Sequence, residues 1–168
     1  MAEPWRSLAA QAVAIRERFD RFASTVEPGP LARGLADVQR LIGDCVAECE
    51  SVTALAADLA SVAAAVDATS IRVRAAAARA DALAHPGDRD LESLAAALAA
   101  EMASSDRLHA LVASLDRNLH RLVAQLNDAV NQAVALAFGS TRYADLRSLV
   151  EQLEALREAF ADSAAQVE

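Results

Sequence analysis

The chain has 168 residues, of which 54% are hydrophobic, and a formal net charge of −8. This length suits one domain with a substantial core, and the hydrophobic fraction excludes a disordered chain of this charge. The acidic balance argues against binding to nucleic-acid backbones and to anionic membrane surfaces, because both are bound by clustered Lys and Arg.

The composition also carries information about origin and compartment. All 16 basic residues are arginine and alanine is abundant, a combination typical of GC-rich bacterial genomes. Cys45 and Cys49 are four residues apart on one predicted helix, a poor geometry for a disulfide between them. Two unpaired thiols suit a reducing compartment, and the chain begins without a signal-peptide pattern. We therefore expect a cytoplasmic bacterial protein without membrane insertion.

The first predicted helix runs from about Pro4 to Val26 and ends at Glu27–Pro30, because two prolines and a glycine do not continue a helix. The second predicted helix is Leu31–Ala84. Its first half has a wide apolar face, as packing inside a bundle requires, formed by Leu41, Ile42, Cys45, Val46 and Cys49.

The second half of that helix repeats apolar residues at 3-4 spacing, which predicts a narrow seam against one neighbour. The predicted seam consists of Leu55, Leu59, Val62, Val66, Thr69, Val73, Ala76, Ala80 and Leu83. His85–Asp88 then predicts a turn, because Pro86 and Gly87 interrupt the helix.

The third predicted helix, Asp88–Ala137, carries the matching seam. Its members are Leu91, Leu94, Leu98, Glu101, Ser105, Leu108, Val112, Leu115, Leu119, Leu122 and Leu126. A weaker break follows at Phe138–Thr141, with Gly139 as a C-cap and Thr141 as an N-cap. The fourth predicted helix is Arg142–Val167.

These lengths predict an all-α fold in which the short outer helices cover only parts of the long central ones. We expect a single helical domain, 1–168, with an up-down four-helix bundle at one end, formed by residues 1–54 and 113–168. The two long central helices extend from it as an antiparallel coiled-coil arm, 55–112. An alternative breaks the long helices near Asp67–Ser70 and Ser104–Asp106 and gives a compact six-helix bundle. In the bundle with an arm, the bundle core should bury Phe19, Phe22, Leu126, Leu156 and Phe160.

The arm is expected to contain a polar layer. Thr69 should face Ser105 across the seam, and Glu101 should reach Arg72 or Arg74. Polar residues at seam positions weaken packing but favour one register.

No group of residues predicts an active site, and we expect no catalytic, cofactor-binding or metal-binding residue. Asp106-x-x-His109 matches half of a di-metal carboxylate site, but a second such motif is missing. Cys45 and Cys49 are expected to be buried as small hydrophobes. Arg72, Arg74 and Arg79 are offset by nearby acidic residues, so they predict a solvated, ion-paired face.

The predicted function follows from the exposed seam of the arm. A two-helix arm rich in alanine buries little apolar area, so another helix should cover it. We expect a non-enzymatic helical scaffold or adaptor that works through helix–helix protein–protein interaction, with a helical protein partner or with itself as a homodimer. The alternative is a helical regulatory or secreted accessory protein that binds one dedicated partner or small ligand.

Overall fold

The computed structural model describes residues 3–138 and 143–166. Over these residues the chain is all helical, which confirms the predicted fold class, and no strand occurs within these two ranges. The predicted caps Gly139 and Thr141 lie outside the described residues. The five helices are α1 (Glu3–Ala23), α2 (Pro30–Ala65), α3 (Ala68–Ala84), α4 (Arg89–Phe138) and α5 (Tyr143–Ala165).

Both turns predicted from proline and glycine are confirmed. α1 ends at Ala23, three residues before the predicted Val26, and the following turn leads to Pro30 as the first residue of α2. Between α3 and α4, Gly87 has a positive φ of 91°, a backbone angle that residues with a Cβ rarely adopt. The Asp88 carboxylate then accepts hydrogen bonds from the backbone N–H groups of Asp90 (3.0 Å) and Leu91 (3.3 Å), which caps the start of α4.

The prediction of one continuous helix from Leu31 to Ala84 is wrong. The helix stops after Ala65 and restarts at Ala68, where the Asp67 carboxylate accepts a 2.9 Å hydrogen bond from the Ser70 N–H. This side chain supplies a local N-cap, which competes with helix continuation. The second break that the six-helix alternative requires does not form, because α4 is continuous through Ser104–Asp106.

Among the described residues, no single helix is both long and apolar enough to cross a bilayer. The pair α2 and α3, bent by 46° at the break, satisfies the length and composition conditions only when the two helices are taken together.

The helices divide into two compact units. Unit 1 comprises 1–57 and 115–168, and unit 2 comprises 58–114. α2 and α4 therefore each contribute to both units, whereas α1 and α5 belong to unit 1 and α3 to unit 2.

Unit 1 buries large side chains from all four of its helical segments. The wide face of α2 is confirmed, since Leu41, Ile42, Cys45, Val46 and Cys49 are at most 1% exposed. Three cross-helix contacts identify neighbours: Gln39 donates to Asp20 (2.8 Å), Arg18 to Asn127 (2.8 Å), and the Cys45 Sγ–H to the Leu153 carbonyl (3.5 Å). These contacts join α1 to α2, α1 to α4, and α2 to α5.

Four of the five predicted core residues of unit 1 are confirmed. Phe19, Leu126 and Phe160 are 0% exposed and Leu156 is 7% exposed. Phe22 is only half-buried, because it lies one residue before the end of α1 and no further helical turn covers it. Its ring contacts Phe19 and Phe138, with centroid separations of 6.0 and 5.7 Å.

Unit 2 has a thin core made mainly of alanine. Ala75, Ala78 and Leu98 form a buried cluster, against which Ala95 and Met102 pack. Ile71 is also buried on α3, at 6% exposure. The α3 positions that turn inward are thus 71, 75 and 78, spaced by four and three residues along one helix face.

The predicted seam of α3 is therefore wrong in phase. Val73 is 65% exposed and Leu83 is 74% exposed, and Thr69 is exposed as well. The physical reason is the alanine content of the helix. Alanines occur on several sides of α3, and the small side chains at 75 and 78 permit a closer approach to α4 than Val73 and Leu83 would allow.

The polar layer of the arm is confirmed only in its ion pair. Arg74 lies 3.9 Å from Glu101, as predicted, and Arg72 pairs with Asp106 at 2.8 Å. Thr69 does not share a seam with Ser105, because Thr69 is exposed and Ser105 is 6% exposed.

Candidate functional site

The half-motif Asp106-x-x-His109 is engaged in local contacts. Asp106 forms its ion pair with Arg72, and His109 Nδ1 lies 2.8 Å from the Ser105 carbonyl oxygen of the preceding turn. Within residues 3–138 and 143–166, no group of three or more His, Cys, Asp or Glu side chains is placed to hold a metal ion.

The two thiols lie deep in unit 1. Cys45 and Cys49 are both free and 0% exposed. Burial, reinforced by the Asp44 charge, raises the pKa of Cys45 to about 12. Burial and the Glu50 charge raise the pKa of Cys49 to about 11. Both groups are therefore protonated at neutral pH, whereas a nucleophilic cysteine requires a thiolate.

The predicted ion pairs of α3 form for two of its three arginines. Arg72 and Arg74 each have a carboxylate partner on α4, on opposite flanks of the α3–α4 contact. Arg79 forms no ion pair with any of the described residues. The Arg79 guanidinium is therefore available to another molecule.

α3 carries two apolar stripes. The first, Ile71, Ala75 and Ala78, is buried against α4. The second, which we call the outer stripe, consists of Val73, Ala76, Ala80 and Leu83, all of which are exposed. Its members recur every three or four residues, so they share one side of the helix. A helix with a second, uncovered apolar side has the pattern of a helix with a second neighbour.

The outer stripe borders an open groove between α3 and α4. We call it the hairpin groove, and its volume is about 420 Å³. Its lining is mostly apolar, because small side chains on both helices leave space between the larger ones at its edges. The lining residues are Arg72, Ala75, Ala76, Arg79, Ala80, Leu83, Ala95, Ala99 and Met102.

The two sides of the hairpin groove have opposite charge. The α3 side carries Arg72 and Arg79. On α4, Glu92 precedes Ala95 by three residues and Asp106 follows Met102 by four, which places both carboxylates on the groove side of that helix. The α3 edge of the groove is thus basic, and acidic residues of α4 lie next to the opposite edge, where Asp106 is paired with Arg72.

The grooves of unit 1 differ in chemistry. One, of about 410 Å³, lies between α4 and α5 and is lined by three glutamines (Gln125, Gln132 and Gln152), an aspartate, three alanines and the buried Leu156. Another, between α1 and α4, includes Gln11, His120 and Asn127. Neither contains exposed large aliphatic residues like Leu83, so the hairpin groove is the better candidate for an apolar contact.

Sequence reasoning identified the outer stripe but assigned it the wrong neighbour. Val73, Ala76, Ala80 and Leu83 were predicted to face α4 within the chain, and they instead lie outside the buried face of α3. The residues that it missed are Ile71, Ala75 and Ala78. The sequence feature that could have identified them is Ile71, the only isoleucine of α3, followed by alanines at 75 and 78. The prediction instead followed the two larger residues on the other side, Val73 and Leu83.

Comparisons with known proteins add no family. No protein-family model matches the chain, and no curated protein or solved structure is significantly similar to it. The functional argument therefore rests on the hairpin groove and its chemistry.

Proposed function

We propose that the protein is a non-enzymatic helical scaffold or adaptor that acts through helix–helix contacts with a helical partner, including a second copy of itself. The observation that carries this proposal is the uncovered outer stripe. Leu83 exposes 74% of its surface and lines an apolar groove, and Val73, on the same stripe, exposes 65%. Grouped exposed apolar side chains beside a groove are the usual feature of a helix-binding surface.

The architecture that we propose for this role has two components. Unit 1 is an up-down four-helix bundle, and unit 2 is an antiparallel two-helix arm that presents the groove. The contacts α1–α2, α1–α4 and α2–α5 support a packed bundle, because each of its four segments contacts at least one other, and α1–α2 joins two helices that are consecutive in an up-down arrangement. The buried cluster of Ala75, Ala78 and Leu98 supports the paired arm.

Energetics favour a covered groove. Full burial of a leucine or valine contributes about 1.5–3 kcal/mol, whereas an alanine methyl contributes less than about 1 kcal/mol. Ordering the backbone costs on the order of 1–2 kcal/mol per residue, so a hairpin whose seam is mostly alanine is marginal by itself. Coverage of Leu83 and Val73 by another helix supplies the missing apolar burial.

A cytoplasmic location belongs to the same proposal. The free thiols of Cys45 and Cys49 support it, because a reducing compartment keeps such thiols unpaired.

Sedimentation equilibrium at micromolar concentration tests the proposal. Wild-type protein should self-associate, and Leu83→Glu should abolish association while circular dichroism shows the same helix content. Leu94→Glu is the matched control, because Leu94 is 50% exposed on the same unit and does not line the groove. It should associate like wild type.

Two outcomes would contradict the proposal. An equal loss of self-association in Leu83→Glu and Leu94→Glu would show that the groove is not the contact surface. A monomeric wild type whose α3 amides are fully protected from hydrogen exchange would show that the hairpin needs no cover.

A further inference from the structure

The charges beside the hairpin groove favour one orientation of a second copy of the chain against the first. Arg72 and Arg79 of α3 line the groove, and helical spacing places Glu92 and Asp106 of α4 on the side of that helix that bears Ala95 and Met102. A second copy that faces the first places either α3 on the partner's α3 or α3 on the partner's α4. Arg72 and Asp106 are paired inside the chain, so Arg79 and Glu92 decide between the two: the first arrangement sets Arg79 against Arg79, whereas the second pairs Arg79 with Glu92 twice.

We propose that the hairpin groove binds the hairpin groove of a second copy, with α3 of each protomer antiparallel to α4 of the other. This inference rests on the proposed function and specifies its partner, face and orientation. The two-fold axis runs along the hairpin, so each protomer contributes the same residues to the contact, as an isologous dimer requires.

The charges that remain free within the chain identify the pair that crosses the interface. Arg72 is occupied by Asp106 at 2.8 Å, whereas Arg79 forms no ion pair among the described residues. Glu92 uses one carboxylate oxygen to accept a 3.3 Å hydrogen bond from the Gly87 N–H. Its other oxygen is free for Arg79 of the second protomer, and symmetry creates this pair twice.

The apolar part of the groove suits the same partner. Ala76 and Ala80 on α3 and Ala95 and Ala99 on α4 permit close helix approach over the middle of the contact. Leu83 on one edge and Met102 in the floor are the large side chains that fill the remaining space. Each copy therefore supplies both the small surface and the large side chains that it needs.

Charge reversal measured by sedimentation equilibrium tests the inference. Arg79→Glu or Glu92→Arg alone should raise the dimer dissociation constant by about tenfold or more, because each substitution affects two symmetric pairs. The double variant Arg79→Glu with Glu92→Arg recreates both pairs and should return to within about threefold of wild type. Arg74→Glu is the control, because Arg74 faces Glu101 within the chain and does not line the groove.

Cysteine cross-linking reports orientation independently of affinity. The variants Ala76→Cys and Ala99→Cys place a thiol on the α3 edge and on the α4 edge of the groove, respectively. A mixture of the two variants should cross-link with a short bismaleimide, and each variant alone should cross-link far less. The wild type is the background control, because Cys45 and Cys49 are 0% exposed.

Three results would overturn the inference. Cross-linking of Ala76→Cys with itself would place α3 on α3. A dimer that is insensitive to the single charge reversals would lie on another face, and the scaffold proposal with self-association would still hold. A wild type that stays monomeric at high micromolar concentration would exclude a second copy and leave the groove to a different helical protein.

Discussion

Unit 1 and unit 2 are built from the same kinds of helix, yet they bury different side chains. The twelve largest fully buried side chains among the described residues, such as Phe19, Phe160 and Leu119, all belong to unit 1. In unit 2 the buried positions are mostly alanines, and four large aliphatic side chains are exposed: Val62, Val73, Leu83 and Leu94.

The number of neighbouring segments explains this difference. In unit 1 each helical segment has more than one neighbour, since α4 and α5 also lie beside each other, so large side chains are enclosed from several directions. In unit 2 the buried face of α3 packs against α4, and only the line of residues on that face is enclosed. Small residues on that line bring the helices close, while larger residues beside it stay exposed to solvent.

The largest expected effect separates the two cores directly. Phe160→Ala removes a fully buried ring from unit 1 and should lower the free energy of unfolding by about 3–5 kcal/mol. Leu98→Ala, in the thin core of unit 2, should cost no more than about 2 kcal/mol, because the exposed hairpin relaxes into the space. Urea denaturation followed by Trp5 fluorescence and circular dichroism measures both. Equal losses would contradict the distinction between the units.

A pH dependence should report on unit 1 alone, because both cysteines lie there. Their folded pKa values, about 12 and about 11, are raised above the ordinary value of 9.0. The unfolded chain therefore loses these protons first, and stability that is present below pH 9 is lost as the pH rises toward the folded values. Between about pH 8 and pH 10 the loss should be roughly 1 kcal/mol for each thiol.

The control for this experiment is Cys45→Ala with Cys49→Ala. Urea denaturation of both proteins at the two pH values should show that the double variant lacks this component of the decrease. The same decrease in both proteins would assign it to other groups.

Ser105 provides a test within unit 2. Its hydroxyl is buried and has no hydrogen-bond partner among the described residues. Ser105→Ala should raise the free energy of unfolding by about 1–2 kcal/mol, since an unsatisfied buried hydroxyl is removed. The adjacent, exposed Ser104 is the matched control, and Ser104→Ala should change stability by no more than about 0.5 kcal/mol through helix propensity. No difference between the two would indicate that the Ser105 hydroxyl is satisfied by water.

The smallest effect concerns two glycines in α2, both in unit 1. A Cβ added at Gly43 meets nothing within 4 Å, so Gly43→Ala should raise stability by about 0.5–1 kcal/mol through helix propensity alone. A Cβ at Gly34 would lie 3.0 Å from Leu146 Cδ1, and crowding should cancel most of the same gain. Thermal denaturation compares the two variants, and equal stabilisation would mean that α5 yields at Leu146 without cost.

The sequence alone determined the all-α fold, the turns at Glu27–Pro30 and His85–Asp88, and most of the core of unit 1. Proline and glycine interrupt helices in any context. Large apolar residues at helical spacing give a helix one apolar face, and burial of that face is clearly more favourable than burial of any other. The Arg74–Glu101 pair was also predictable, because the central turn limits which positions of the two helices lie opposite each other.

The tertiary structure decided between the continuous helix and the alternative break near Asp67–Ser70, and it decided the phase of α3 and, with it, the candidate site. Alanine is placed on nearly every side of α3, so the difference in burial between one phase and the next is small. A single cap by Asp67 and the close approach of Ala75 and Ala78 to Leu98 were enough to select a phase. The spacing of Val73 and Leu83 is typical of a helix-binding face, but spacing alone does not distinguish a neighbour in the same chain from one in another molecule.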